Sequence, residues 1–531
     1  MKKIFGLTGL ILFAAATLFT SCKNEKEQIF SLEIEQFTGL DKTTISGSNT
    51  VWTNGDPIWI NNAQATVRSN RTVSVTDPIT SINRKFYSIY GGRATVNSFD
   101  RDNLAYSYTM PNSYTYNANE LKAPMLGTYN YDDGDNIIRY TNICTMLKLE
   151  FVVIPSEVTI TSTSTALSGD FTATYNGTSW DVEAPTATTD NKTITISNPN
   201  YASVMYVPLP AGTHKLTITG KTFTRAMTSA QNMVKSTLYP IKCAHTFSIS
   251  SSAKVYMSPG NFQYYNTSTY SGSNLYGNMA SSNDQARFAD PQWNRIYRDN
   301  LEMRNGVIVS TGHCRSNAWI DLFGWGTGNI PGYCYATSLG TSTIIAYDDF
   351  DDWGAYYSTI LNNTSHTTGS WRTLNRTHWS YLLNITENNK RSGRTIRVSV
   401  ADIPGLLIAP DDFPSASLPN ANSSITANNF NENYQKKGVV FLPNGGYMHH
   451  RETIVNSWGF SGDGTASDAV LGGYWTSDEN QPGGLSTTNR AYFVKISPSN
   501  ISITDENLQD NGLWNRNKPC KLSVRLVQDA N

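Results

Sequence analysis

Four carboxylates fall within one short stretch, Asp348-Asp349-Phe350-Asp351-Asp352, directly before Trp353. Oxygen donors at that density are what a hard cation such as calcium takes. Four acids in a loop equally make a solvated surface, and we expect no metal site from them. His449-His450-Arg451 offers two imidazoles, but adjacent residues on a strand point to opposite faces, so a surface loop is the simpler expectation. The sequence contains no Gly-x-Ser-x-Gly elbow, His-Glu-x-x-His pair, Walker loop or strand-to-helix Gly-x-Gly-x-x-Gly. Paired carboxylates for glycoside cleavage depend on a separation in space that spacing along the chain does not give. The expectation is a protein that is not an enzyme, with no catalytic residues and no cofactor. With 12 Trp and 29 Tyr, stacking on flat ligand faces is the more suggestive chemistry. Trp353, Tyr356, Tyr357 and Trp475 lie near predicted loops and are the ligand-binding candidates, against the alternative that such rings are core.

The elements that must carry these residues are foreshadowed by composition. The chain has 531 residues, 41 Lys+Arg against 42 Asp+Glu, and a net charge of -1. That balance supplies no basic footprint for phosphate contacts, so nucleic acid is not an expected partner. Low charge made up by Ser, Thr, Asn, 38 Gly and many Tyr fits short strands and polar turns, and excludes a helical solenoid or coiled coil.

From Phe30 to His245 apolar and polar residues alternate in short runs: Ile58-Trp59-Ile60, Leu147 to Val153, Thr193 to Ile196, Lys215 to Thr219. Turn residues bound them, as at Asn54-Gly55-Asp56-Pro57 and Asp133-Gly134-Asp135-Asn136. The pattern predicts two stacked β-sandwiches over 31–160 and 161–246, divided by the mostly polar stretch Thr161 to Lys192. Cys144 reads as a small buried hydrophobe in a strand. Beyond His245 the alternation weakens while Trp, Tyr and Gly become denser, which marks a further domain over 247–531. Within it Trp379, Leu382 and Leu383 have helical spacing, with Thr373 or Asn375 as candidate caps.

The first thirty residues read as a targeting segment. Lys2-Lys3 precede an apolar run that ends at Leu18-Phe19-Thr20-Ser21-Cys22. This resembles a bacterial lipoprotein cleavage site, which implies a signal peptide over 1–21 and lipid attachment at Cys22. The charged stretch that follows reads as a polar tether over 22–30. No later window has the run of apolar residues that a membrane-crossing helix needs.

Val51-Trp52-Thr53-Asn54-Gly55-Asp56-Pro57-Ile58, with Lys42-Thr43-Thr44 before it, resembles the Trp-x-x-Gly-Asp-x-Ile opening of the Bacteroidetes fimbrillin lipoproteins. Asn142 to Leu149 and Pro208-Leu209-Pro210-Ala211-Gly212-Thr213 follow in the family's order. The resemblance implies subunits that assemble when a neighbour's strand completes a β-sandwich, after an N-terminal strand is cut away behind a basic residue. Lys42 is the candidate for that cut. Physically, the Gly55-Asp56 turn carries no chemistry: Gly55 is free to take positive φ and Asp56 to bond nearby backbone.

Trp371 to Leu383 and Ser523-Val524-Arg525-Leu526-Val527 resemble the helix and closing strand of C-type-lectin-like and formylglycine-generating-enzyme-like domains, with His378 where those domains carry Glu. Oxidase chemistry in those relatives implies a pair of late cysteines, whereas here only Cys520 follows Cys334. Calcium-dependent sugar sites imply a Glu-Pro-Asn-like loop, and Glu479-Asn480-Gln481-Pro482 is out of pattern. The expected architecture is therefore mostly β: two fimbrillin-like sandwiches, then an α+β C-type-lectin-like domain. The resemblances imply a fimbrial accessory or tip subunit at the outer membrane surface, with adhesion through the C-terminal domain. Its partners would be other fimbrial subunits and a host or bacterial glycan or protein. The alternative is a stand-alone surface lipoprotein that binds a glycan or peptide.

Overall fold

A computed structural model describes residues 28–34, 54–75, 79–118, 122–266, 285–296, 301–304, 307–310, 318–325, 352–383, 394–446, 472–480, 490–496, 500–505 and 521–530. The strands up to Asn142 are β1 (Gln28–Ile34), β2 (Pro57–Ile60), β3 (Ala63–Val67), β4 (Thr72–Val75), β5 (Lys85–Tyr90), β6 (Thr95–Asp100), β7 (Ala105–Met110), β8 (Ser113–Thr115), β9 (Met125–Asn130) and β10 (Ile137–Asn142). Seven of them close into a barrel in the order β1-β10-β9-β5-β2-β3-β4. Period-two alternation turns Phe30, Ile58, Ile60, Val67, Val73 and Phe86 into its core. Closure leaves no open edge on this sheet. β1 begins within the stretch expected as a polar tether. Its Ile29-Phe30 pair supplies an apolar residue that the barrel buries completely, so the tether is shorter than 22–30.

The next strands are β11 (Cys144–Phe151), β12 (Glu157–Ser162), β13 (Gly169–Tyr175), β14 (Trp180–Glu183), β15 (Thr193–Ser197), β16 (Val204–Pro210), β17 (Gly212–His214), β18 (Leu216–Thr219), β19 (Thr224–Ala226), β20 (Gln231–Met233) and β21 (Leu238–Cys243). Their sheets run β16-β11-β21 and β19-β18-β12-β15-β8, with a small β17-β20 pair. A fourth sheet, β14-β13-β7-β6, crosses the boundary expected at 160/161: β13 pairs with β7 from Gly169↔Met110 to Thr174↔Ala105. The two expected sandwiches therefore interleave. The polar stretch read as a divider holds the β13–β14 hairpin, polar on one side because Thr172 is exposed while Phe171 and Ala173 pack inward against Trp180 and Tyr106. Cys144 and Cys243 are free and buried, and burial pushes both thiols up to about 12.

From Phe247 onward the chain is α+β. Strand Leu526–Asp529 sits inside a four-stranded sheet, between Lys254–Met257 and Arg372–Thr373, with Phe247–Ser248 at one edge. Thr395–Val400, Ile403–Ile408, Val440–Pro443 and Ser424–Ile425 make a second sheet; Gly472–Asn480, Arg490–Ile496 and Ile501–Thr504 make a third. Among the described residues three α-helices join them: α1 (Trp353–Thr364), α2 (Arg376–Leu383) and α3 (Ala427–Asn433). Trp379, Leu382 and Leu383 lie on the buried face of α2. Asn375 is its cap, its side-chain oxygen accepting from the His378 amide at 2.8 Å.

Backbone and charge both tie this region to β11 and β19. Val153 and Thr367 form an antiparallel bridge, flanked by Ile154 N donating to His366 O at 2.7 Å and Thr368 N to Val152 O at 3.0 Å. Asp412 accepts from His245 Nδ1 at 3.0 Å and pairs with Arg225 of β19. Gly438, at φ +81°, lets the His245 ring lie where any side chain would collide with it.

Candidate functional site: strand β1 in the barrel

β1 is the described strand furthest toward the N-terminus, yet it is a middle strand of its sheet. It runs parallel to β10, from Ser31↔Ile137 to Ile34↔Tyr140, and antiparallel to β4, from Gln28↔Val75 to Ser31↔Thr72. Its alternation is clean: Phe30 and Leu32 are buried, whereas Ile29 is 45% exposed and Ser31 and Glu33 face outward. Phe30 packs edge-on against Phe86 at 5.4 Å and Tyr129 at 5.8 Å. Burying two such side chains stabilises the strand by about 3–6 kcal/mol. The backbone adds Ser31 N donating to Asn136 O at 2.9 Å and Leu32 N to Arg71 O at 3.0 Å.

Electrostatics contribute little to holding β1. The Glu33–Arg139 pair at 3.6 Å is exposed on both sides, and such pairs are worth about 0–1 kcal/mol. Arg139 is bound more closely to Asp135, at 2.5 Å. The groove that β1 fills is therefore an apolar slot between two hydrogen-bonding edges. Chemically it can hold an extended strand with alternating large apolar residues, and the main chain would supply most of the pairing.

The Gly55-Asp56 turn starts β2, which lies between β5 and β3 in the same barrel. Gly55 takes φ +98°, and its amide donates to Val67 O at 2.9 Å. The Asp56 carboxylate is buried: it accepts from the Tyr90 hydroxyl at 3.1 Å and lies 3.8 Å from Lys122 Nζ. It thus ties the turn to β5 as well as shaping it locally.

The residues expected to act lie elsewhere. Cys22 and Lys42 fall outside the described residues, as do Asp348 to Asp351 and His449-His450-Arg451. Asp352 caps α1, accepting from the amides of Gly354 at 2.9 Å and Thr373 at 3.0 Å. Of the four aromatic candidates, Trp353, Tyr357 and Trp475 have no exposed surface. Tyr357 packs on Phe262 and Tyr264, and Trp475 donates to Phe323 O at 2.6 Å. These three hold the interior rather than offer a stacking face, since all of them pack into one hydrophobic core. Tyr356 alone is accessible, at 41%. His378 is half-buried; burial, and then the Arg372 charge, lower its pKa.

Sequence reasoning passed over Arg525. It is fully buried, and its donors reach Ser258 O at 2.7 Å, Gln292 Oε1 at 3.2 Å and Asn261 Oδ1 at 3.3 Å. Burial lowers its pKa to about 9. The signal was present as a lone cation inside the apolar run Val524-Arg525-Leu526-Val527.

No protein-family model and no curated protein matches this sequence. Solved structures resemble it distantly. One, a "putative cell adhesion protein" from Bacteroides ovatus, is 11% identical over 40% of this chain and 91% of that one, with a TM-score of 0.29. A fimbrial assembly protein from Parabacteroides distasonis is 9% identical over 44% and 94%, with a TM-score of 0.22. A fimbrial protein from Bacteroides ovatus is 11% identical over 94% and 98%, with a TM-score of 0.21. At these TM-scores the likenesses assign neither fold nor function to this chain.

Proposed function

We propose that this chain is a non-enzymatic surface lipoprotein that serves as a fimbrial accessory or tip subunit. The barrel is its assembly module and the region from Phe247 its adhesive one. The observation that carries this reading is β1 itself: a strand held by two apolar side chains and main-chain pairing, joined to β2 by a connection in which Lys42 is the only basic residue. Cutting at Lys42 would free β1, and the edges of β4 and β10 would then accept a strand from a neighbouring subunit. Strand Leu526–Asp529 is paired on both sides and buried, so it is committed to its own sheet and is no donor. That supports the accepting end of an assembly over a repeating position. Lipid on Cys22 would hold the unprocessed chain at the outer membrane, with other fimbrial subunits as partners and a host or bacterial glycan or protein as the target of adhesion.

The test is mass spectrometry of fimbriae sheared from the source cells. The reading requires low-stoichiometry peptides of this chain with a mature N-terminus beginning just after Lys42. The barrel is complete with its own strand, which favours a second reading, a stand-alone receptor that never polymerises. Recovery only in membranes, with lipid still on Cys22, would establish that reading instead.

A further inference from the structure

Between the turn after β15 and the turn after α1 lies an open groove of about 420 Å³, lined by Asn200, Tyr201, Ser203, Asn363, His366 and Ile154 among others. Its size falls within the roughly 300–1,000 Å³ of small-ligand sites. Among the described residues, no Lys, Arg, Asp or Glu lines it. We propose that this groove is a binding site for a neutral saccharide.

The two walls are rigid, and asparagines make them so. Buried Asn198 staples the first turn: its amide donates to Pro155 O at 3.0 Å and Ala202 O at 3.2 Å, and its oxygen accepts from Ala202 N at 2.9 Å. Asn362 staples the second: it donates to Gly369 O at 2.8 Å and accepts from Thr367 Oγ1 at 2.8 Å and Trp371 Nε1 at 3.2 Å. The Val153–Thr367 bridge then fixes the distance between them. Beside each committed asparagine stands an exposed one on the lining, Asn200 and Asn363. An uncommitted amide can donate and accept at once, the pairing that vicinal sugar hydroxyls ask for.

The rings of Tyr201 and His366 meet across the groove, stacked at 3.4 Å and 5°. Both residues have left-handed backbone, each at φ +49°. Such strain in a non-glycine residue persists only where the surroundings over-determine it, and it concentrates at ligand sites. The pair brings a phenol hydroxyl and imidazole nitrogens to the groove beside the apolar carbons of Ile154 and Pro199. An uncharged lining of amides, hydroxyls and ring edges with a small apolar patch suits a ligand that is neutral, hydroxyl-rich and partly apolar on its C–H face. The groove exists with β1 in place and does not depend on strand exchange.

The full chain is titrated calorimetrically with neutral gluco-, manno-, galacto- and N-acetylglucosamine oligosaccharides. At least one should bind, and the double variant Asn200→Ala/Asn363→Ala should weaken it about tenfold or more. Tyr201→Phe, which keeps the ring and the turn, should weaken it severalfold and guards against a misfolded double variant. Binding by no neutral oligosaccharide, or undiminished binding by correctly folded variants, overturns the proposal. A preference for sialylated or sulfated sugars over every neutral one overturns the ligand class. None of these outcomes bears on processing at Lys42, which the fimbrial mass spectrum reads separately.

Discussion

β1 and strand Leu526–Asp529 lie near opposite ends of the chain, and each is a middle strand of its sheet, yet they are held in different ways. β1 buries one face only and presents Ile29, Ser31 and Glu33 outward. The other strand buries Leu526, Val527 and Gln528 in succession and follows a wholly enclosed arginine. A strand with one apolar face and main-chain pairing can be replaced by any segment of like alternation. A strand buried on both faces and keyed by a guanidinium cannot. The proposed exchange of β1 requires the first kind of hold and would be barred by the second.

Phe30→Ala tests the first half of that comparison most severely. It empties the space against Phe86 and Tyr129 and should cost about 3–5 kcal/mol, read as a lower denaturant midpoint of the barrel transition. β1 should then become the first site of limited proteolysis, while the core from Phe247 onward stays protected. Equal loosening of both regions would dissolve the distinction between them.

Arg525→Met addresses the second half. The change removes the donors to Asn261 Oδ1 and Ser258 O, buried acceptors whose loss costs about 1–3 kcal/mol each, and one of the two donors to Gln292 Oε1, which keeps the Phe441 amide. It also relieves the cost of burying a cation, so the net loss should be about 3 kcal/mol. Hydrogen exchange should place that loss in Lys254–Met257 and Leu526–Asp529. Arg525→Lys should recover little, since an ammonium cannot span three separate acceptors as a planar fork does. A neutral Arg525→Met would mean that the strand is held by its apolar residues alone.

Much of this contrast is written locally in the sequence. Alternation marks β2, β11, β15 and β18, the spacing of Trp379, Leu382 and Leu383 marks α2, and Gly55 marks its turn, because each depends on neighbours a few residues away. What escaped is non-local. The pairing of β13 with β7 spans some sixty residues, and nothing in either strand's alternation names its partner. Aromatic placement is equally illegible: Tyr356 and Tyr357 are adjacent on α1, one exposed and the other enclosed, a difference set by helix rotation over a core that composition does not reveal. At the candidate site, Phe30 falls in the stretch expected as a polar tether, so neither the buried face of β1 nor its place between β4 and β10 was read from the sequence.

Asp411 and Asp412 sharpen the comparison: Asp412 reaches across the seam to His245 and Arg225, whereas the side-chain partners of Asp411 all lie beyond Phe247. Asp411 accepts from Ser248 N at 2.9 Å and Ser248 Oγ at 2.7 Å, lies 3.0 Å from Lys254 Nζ, and pairs with Arg394. Asp412 faces His245 and Arg225 with almost half its side chain exposed. Burial alone would raise both carboxyls. Hydrogen bonds from Ser248 outweigh it at Asp411, and His245 with Arg225 outweighs it at Asp412, so both pKa values fall below the ordinary one. The sign follows: a depressed carboxylate stabilises fully above its unfolded pKa of about 4, and that stability is lost as pH drops through the folded value. The seam at Asp412 and the cluster around Asp411 within the region from Phe247 should therefore both loosen below about pH 4, while the Phe30 contacts hold. Asp411→Ala should cost about 2 kcal/mol and Asp412→Ala about 1 kcal/mol or less after solvent screening.

The smallest expected effect belongs to Glu33→Gln on the outer face of β1. It removes the exposed pair with Arg139, which already has Asp135 at 2.5 Å, and should change barrel stability by less than about 0.5 kcal/mol. The smallness bears on the proposed exchange, because under it β1 gains nothing from a side-chain contact that a replacement strand would have to reproduce. A loss above about 1 kcal/mol in the same denaturant titration would show β1 to be keyed by charge. The barrel would then hold its own strand by a feature specific to that strand, as the far end of the chain does with Arg525.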